Sequence, residues 1–207
     1  MGLLRACAQA VFIGAGTLHG SPATQWTAEH AHPANAQLYA ELRRRRGVPP
    51  QPTLAVLSGS GKIDSKHPGL RQPAIVFTSQ EGAKRLDGVL PPAVEIVPIG
   101  DGPHLDAAAA LRILRDRGYE LVLCEGGPTL LGTLIDSGLL DELFLTISPR
   151  LAGRSANHPR LSLLEGAELL PNAVVDGRLL SVRRAGSHVF HRYRIKREKI
   201  RLESSGT

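Results

Sequence analysis

The chain has few aromatic residues and almost no sulfur. One tryptophan, three tyrosines and four phenylalanines make up 4% of its 207 residues. So little aromatic surface leaves few platforms on which nucleic-acid bases could stack. The net charge of +6 is therefore better matched to small anionic ligands than to nucleic acid or an anionic membrane. Two cysteines, Cys7 and Cys124, cannot make a disulfide framework, and reduced thiols in a cytoplasmic protein are expected. No apolar run approaches the ~20 residues that a spanning helix needs. The start, Met1-Gly2-Leu3-Leu4-Arg5-Ala6, lacks the longer apolar region and small-residue cleavage pattern of a secretory signal. Gly-x-x-x-x-Gly-Lys-Ser/Thr and Gly-x-Ser-x-Gly motifs are absent. Gly14-Ala15-Gly16-Thr17 lacks the third glycine of a Rossmann fingerprint. His30 and His32, with no nearby cysteine, are poor metal spacing, and no metal is expected.

What the chain does have is concentrated in Leu121 to Gly153. Leu121-Val122-Leu123-Cys124 is short and apolar enough for a buried strand. Glu125-Gly126-Gly127 follows, a turn in which backbone can approach a ligand closely. Pro128 suits the first turn of a helix. Leu130, Leu131, Leu134 and Ile135 share a helical face, and Gly138 is a stop. Glu142 to Ser148 is a further strand. In a parallel α/β fold a strand–glycine–helix turn lies at the carboxyl edge of the sheet and suits a phosphate. A tight loop with no ligand is the alternative for the Gly-Gly pair alone.

Elsewhere strands and helices alternate, which predicts an α/β domain with a mostly parallel sheet. Leu3 to Gln9 ends a helix that feeds a strand over Ala10 to Gly14. Ala34 to Arg46 is a helix with Leu38 and Leu42 on one face, closed by Gly47 ahead of Pro49 and Pro50. The run Arg43 to Arg46 is either an anion or nucleic-acid patch or a set of cations at a solvated helix end. Strands follow at Thr53 to Leu57, Ala74 to Phe77 and Val94 to Ile99. Thr78 and Glu81 match a capping box. Asp106 starts a helix with Ala107, Ala110, Leu111 and Leu114 on one face, ended by Gly118. Leu179 to Arg183 and His188 to Lys196 are closing strands, the second with a mostly basic face. One domain over 1–197 and a tail over 198–207 are expected.

Glu125-Gly126-Gly127-Pro128-Thr129, Leu140-Asp141-Glu142-Leu143, the Pro149 to Gly153 segment and the Leu4-Arg5-Ala6 helix resemble one family. It is the reductase domain of the bifunctional riboflavin-biosynthesis deaminase/reductase, of the dihydrofolate-reductase-like superfamily. The resemblance implies a mostly parallel sheet flanked by helices with an antiparallel C-terminal strand. It implies NADPH as cofactor and a homodimer. The substrate it implies is a small phosphorylated heterocycle, the phosphoribosylamino-pyrimidine of riboflavin synthesis. It places Glu125 at the substrate, and Gly126, Gly127, Pro128, Thr129 and Leu130 at the cofactor, with Leu131 beside them. Thr17 takes the role of the family's cofactor threonine, unless it only caps a turn. Ser58 and Gly59 fall at the next wall of that pocket, and Thr78 and Ser79 where hydroxyls reach the adenosine phosphate, unless they only cap a helix.

Two departures stand out. Where the family often has an Asp-Pro pair, this chain has Leu18-His19-Gly20-Ser21-Pro22, so Ser21 is the candidate at the substrate. The family's first strand, with its Ser-x-Asp-Gly-type motif, has no match, which leaves a truncated reading of a longer gene or a real loss. Reduction of dihydrofolate or another pterin-like compound, and non-catalytic NADP binding, are the alternative functions.

Overall fold

The computed structural model describes residues 1–153, 155, 157, 160–167, 169, 173–196 and 200–201. The chain forms two compact units, Met1–Gly127 and Pro128–Thr207.

In the first unit the elements run α1 (Gly2–Cys7), β1 (Ala10–Gly14), α2 (Ala15–His19), α3 (Ala28–Ala31), α4 (Ala36–Arg45), β2 (Thr53–Ser58), β3 (Ala74–Ser79), α5 (Gln80–Leu86), β4 (Val94–Gly100), α6 (Ala107–Asp116) and β5 (Val122–Cys124). The five strands form one all-parallel sheet in the order β4-β3-β2-β1-β5. Parallel strands are covered on both faces, so they are continuously apolar rather than alternating. All six residues of β3 are buried, as are the first four of β1. Val11, Ile13, Leu54, Val56 and Val76 form a core with Leu18, Leu70, Leu86 and the single tryptophan, Trp26. The Trp26 ring stacks on His67 at 5.8 Å between centroids.

Several expected boundaries move. β5 begins at Val122, Leu121 is exposed, and the strand is half-buried at the sheet edge rather than buried. β2 and β3 run on to Ser58 and Ser79, because ladders with their neighbours continue to those residues. The cap of α5 is therefore Ser79, not Thr78. Ser79 Oγ accepts from Gly82 N at 2.9 Å. Glu81 pairs with Arg85 instead of closing a capping box. Asp106 caps α6 as expected, accepting from Ala108 N at 2.8 Å. Ala107, Ala110 and Leu114 are buried on its face while Leu111 is half-buried.

The helix expected over Ala34 to Arg46 is a 3-10 turn, Pro33–Asn35, followed by α4. Its inward face is Tyr39 and Arg43, with Leu42 half-buried against that cluster, while Leu38 is 68% exposed. The four arginines do not share one environment. Arg44 and Arg45 pair with Glu41 on the surface. Arg43 is 1% exposed, so neither an anion patch nor a solvated end describes it. Its Nη1 donates to Arg5 O, Ala6 O and Ala8 O at 3.1, 3.1 and 2.6 Å, and its Nε to Pro49 O at 2.7 Å. A helix C-terminus leaves carbonyls without intrahelical donors. The guanidinium supplies them for α1, and burial pulls its pKa below the ordinary value, opposed by the charge of Glu29.

The second unit holds α7 (Pro128–Asp136), β6 (Glu142–Ile147), β7 (Ala173–Val174), β8 (Gly177–Ala185), β9 (His188–Ile195) and β10 (Ile200–Arg201). β6, β9 and β8 form an antiparallel sheet with β9 central, and β7 pairs antiparallel with β10. Leu130, Leu134 and Ile135 of α7 are buried, and Gly138 ends the helix at φ +65°. On β9, His188, Phe190, Arg192 and Arg194 are exposed and Val189, His191, Tyr193 and Ile195 half-buried, as the alternation predicts. Of the expected tail, Ile200–Arg201 belongs to β10; 198–199 and 202–207 lie outside the described residues. No helix among the described residues is long and apolar enough to cross a membrane.

Candidate functional site

All five strands of the first unit point the same way, so their carboxyl ends share one edge. Following the strand order, that edge carries Thr78-Ser79, Ser58-Gly59, Gly14 with Thr17 just beyond, and Glu125-Gly126-Gly127. Apart from Gly14, these are residues that the sequence nominates, and of its nominations in this unit only Ser21 is missing from them. Ligands of open α/β sheets bind outside such an edge.

Glu125 continues the ladder beyond β5, its N–H donating to Phe12 O at 3.0 Å. Its carboxylate is held by Arg5. Nε donates to Oε1 and Nη2 to Oε2, both at 2.7 Å, with side-chain exposures of 8% and 12%. This is a bidentate fork, short and charge-assisted. Arg5 Nη1 donates in turn to Gln25 O and Thr27 O at 3.1 and 3.2 Å. The fork thus ties α1, the Gln25–Thr27 segment and the end of β5 together. Arg5 is a site residue that sequence reasoning passed over. It stood in the Leu-Arg-Ala run, but 120 residues separate it from Glu125 and no spacing rule connects them.

The turn after Glu125 is half-buried. A Cβ on Gly127 would lie 3.6 Å from Thr17 Oγ1, an ordinary contact, so the Thr17 hydroxyl faces this glycine. Nothing among the described residues lies within 4 Å of where a Cβ on Gly14 or Gly16 would be. Thr17 sits within α2 rather than in a plain turn. Cys124, one residue before Glu125, has its thiol pKa raised, chiefly by burial; a hydrogen bond from the Gly126 backbone opposes this and the Glu125 charge adds to it.

At the other end of the edge the hydroxyls turn inward. Thr78 is fully buried and its Oγ1 donates to Ser58 O at 2.7 Å. Ser79 is 3% exposed and committed to its cap. Ser58 is 2% exposed, and its Oγ has no hydrogen-bond partner among the described residues. Gly59 backs onto Pro103, where a Cβ would fall 1.9 Å from Pro103 O. These four residues shape the loop at this end. Ser21 is half-buried, its carbonyl accepting from His67 Nε2 at 3.1 Å. In the second unit, Pro128 opens α7, Thr129 is exposed, Leu130 is buried and Leu131 half-buried. No group of three or more His, Cys, Asp or Glu able to hold a metal ion occurs among the described residues.

The model of the RibD C-terminal domain family matches residues 1–189. The chain belongs to this family. The riboflavin biosynthesis protein RibD of Escherichia coli (strain K12) is 28% identical over 174 residues, which is 83% of this chain and 45% of that protein. This RibD C-terminal domain chain thus spans less than half of that relative. Among solved structures, a pyrimidine reductase-like protein from Corynebacterium diphtheriae superposes with a TM-score of 0.72 at 21% identity, covering 95% of this chain and 79% of that one. A riboflavin biosynthesis reductase from Saccharomyces cerevisiae gives 0.65 at 17%, covering 94% and 78%. At these identities the structural likeness speaks for the fold, an α/β architecture shared with RibD-type proteins.

Proposed function

We propose that the chain is an NADPH-dependent reductase of riboflavin biosynthesis, acting on 5-amino-6-(5-phosphoribosylamino)uracil. Family membership over residues 1–189 carries the reading, together with the contact of Thr17 with Gly127 at the sheet edge. The free space over Gly14 and Gly16 fits a nucleotide approaching the backbone, and the basic chain fits its phosphates. Thr17, Gly126 and Gly127 would hold it, with Ser58, Gly59, Thr78 and Ser79 shaping the loop alongside. Pro128, Thr129 and Leu130 take cofactor roles from the family pattern. When bound, NADPH supplies a hydride to a C=N or C=O carbon of the heterocycle.

The chain's own contribution is position and field. Glu125, oriented by the Arg5 fork, presents a fixed carboxylate at the end of β5 to the polar edge of the substrate. Ser21 lies in the segment that replaces the family's Asp-Pro pair.

A second reading, non-catalytic NADP binding, is favoured by the same fork, since both Glu125 oxygens already accept from Arg5. A homodimer is proposed on Ile147, Leu179 and Val182, which are 49, 51 and 52% exposed and share one face of the β6-β9-β8 sheet.

The deciding experiment is a thermal-shift titration with NADPH and NADH, followed by turnover with the pyrimidine. A ligand that binds only the folded state adds about 2.7 kcal/mol at a hundred times its Kd. NADPH-selective stabilisation with substrate-dependent NADPH oxidation is the expected result. Stabilisation without oxidation selects the non-catalytic reading, and no stabilisation rejects both.

A further inference from the structure

The amino ends of β2 and β3 lie at the opposite edge of the sheet from Ser58 and Ser79. A cavity of about 490 Å³ opens there, walled in part by Thr27, Glu29, Gln51 and Gln72, with His30 and Arg71 at its exposed margin. Some of this wall is already satisfied. Gln72 is buried; its Oε1 accepts from Trp26 N at 3.0 Å and its Nε2 donates to Pro52 O at 3.1 Å. Thr27 Oγ1 accepts from His30 N at 3.2 Å.

Two wall atoms are not. Glu29 Oε2 and Gln51 Oε1 are buried and have no hydrogen-bond partner among the described residues. A buried acceptor without a donor carries its full desolvation cost, and native structures hold few of them. Arg43 feels the charge of Glu29, yet its hydrogen bonds go to backbone carbonyls, and its Nη2 is a third buried atom without a partner among the described residues. At the margin the charge is reversed: Arg71 is exposed and makes no ion pair among the described residues.

We propose that this cavity is a second small-molecule site, separate from the carboxyl edge, for a zwitterion bearing an amine and an acidic group. The amine donates to Glu29 Oε2 and Gln51 Oε1. The acid lies at the margin against Arg71, with His30 beside it. The acidic group is a carboxylate, as in a free amino acid, or a phosphate, as in an aminoalkyl phosphate; the cavity chemistry is the same for both. The site does not depend on the reductase reading.

Thermal-shift titration of the 207-residue chain with L-alanine and with phosphoethanolamine tests it, and tells carboxylate from phosphate. Ethanolamine and inorganic phosphate are the half-ligand controls. At least one zwitterion should give saturable stabilisation at a tenfold lower concentration than either half. Glu29→Gln should raise the half-saturation point at least tenfold. Arg71→Ala should remove the advantage of the zwitterion over ethanolamine. No saturable shift with either zwitterion overturns the proposal, as does equal binding by wild type and both variants. If Glu29→Gln fails to melt cooperatively, Arg71→Ala at the exposed margin decides alone.

Discussion

Replacing Arg5 by alanine would leave the Glu125 carboxylate at 12% side-chain exposure with no cation to answer it. Removing one partner of a buried ion pair costs about 3–5 kcal/mol, because the other charge stays buried and unpaired. Arg5→Ala should lower stability by that order in urea unfolding. Arg5→Lys should fall between, since an ammonium keeps the charge but cannot make the two-pronged contact. A loss under ~1 kcal/mol for the alanine variant would mean that the fork is not what holds this corner. Cys124 offers a pH test. Its raised thiol pKa means that the unfolded chain loses this proton at lower pH than the folded one. The stabilising difference is present in full below the unfolded thiol pKa and is lost as pH rises through the folded one. Tm measured across the alkaline range under reducing conditions should therefore fall less steeply for Cys124→Ala than for wild type. At this scale the sequence was informative about residue type but not about partners. Glu125 and Thr17 stood out by motif, whereas Arg5 and Arg43 act across contacts that only the fold creates.

Among elements, the junction of β3 and α5 is the most tightly built. A Cβ on Gly82 would lie 2.0 Å from Thr78 Oγ1, and Thr78 is fully buried. Gly82→Ala should therefore destabilise the protein despite the higher helix propensity of alanine. Thr78→Ala frees that space at the cost of its hydrogen bond to Ser58 O. The double variant should be more stable than the two single losses added together, which a double-mutant cycle reads directly. Additive losses would show that the backbone of α5 has moved instead. The cap of α5 was legible as composition but misplaced by one residue, and Glu81 pairs with Arg85 rather than closing a capping box. Ladders with both neighbours hold Thr78 within β3, while Ser79 pairs only with β4 and its side chain is left to cap α5. The face of α4 was missed for a related reason. Counting apolar residues selects Leu38 and Leu42, but the unmet carbonyls of α1 draw Arg43 inward and Tyr39 with it.

At the scale of the whole molecule, burial is unevenly shared. The first unit holds the fully buried Val11, Ile13, Leu54, Val56 and Val76, while β8 and β9 of the second are half-buried to exposed along their length. Opening free energy follows buried apolar contact. In native-state hydrogen exchange, the amides of β1, β2 and β3 should be the slowest and those of β8 and β9 measurably faster. That ranking belongs to the dilute, monomeric chain; at concentrations where the proposed dimer forms, β8 and β9 should gain protection. The alternation of apolar strands with capped helices was enough to specify an α/β class, and the Glu-Gly-Gly turn the edge at which to look, because periodicity and turn chemistry are local properties written residue by residue. Which carboxylate is held by which arginine, and which of four consecutive arginines is buried, were decided by the tertiary structure. Those outcomes depend on hydrogen-bonding needs that arise only when segments more than a hundred residues apart, such as Arg5 and Glu125, are packed together.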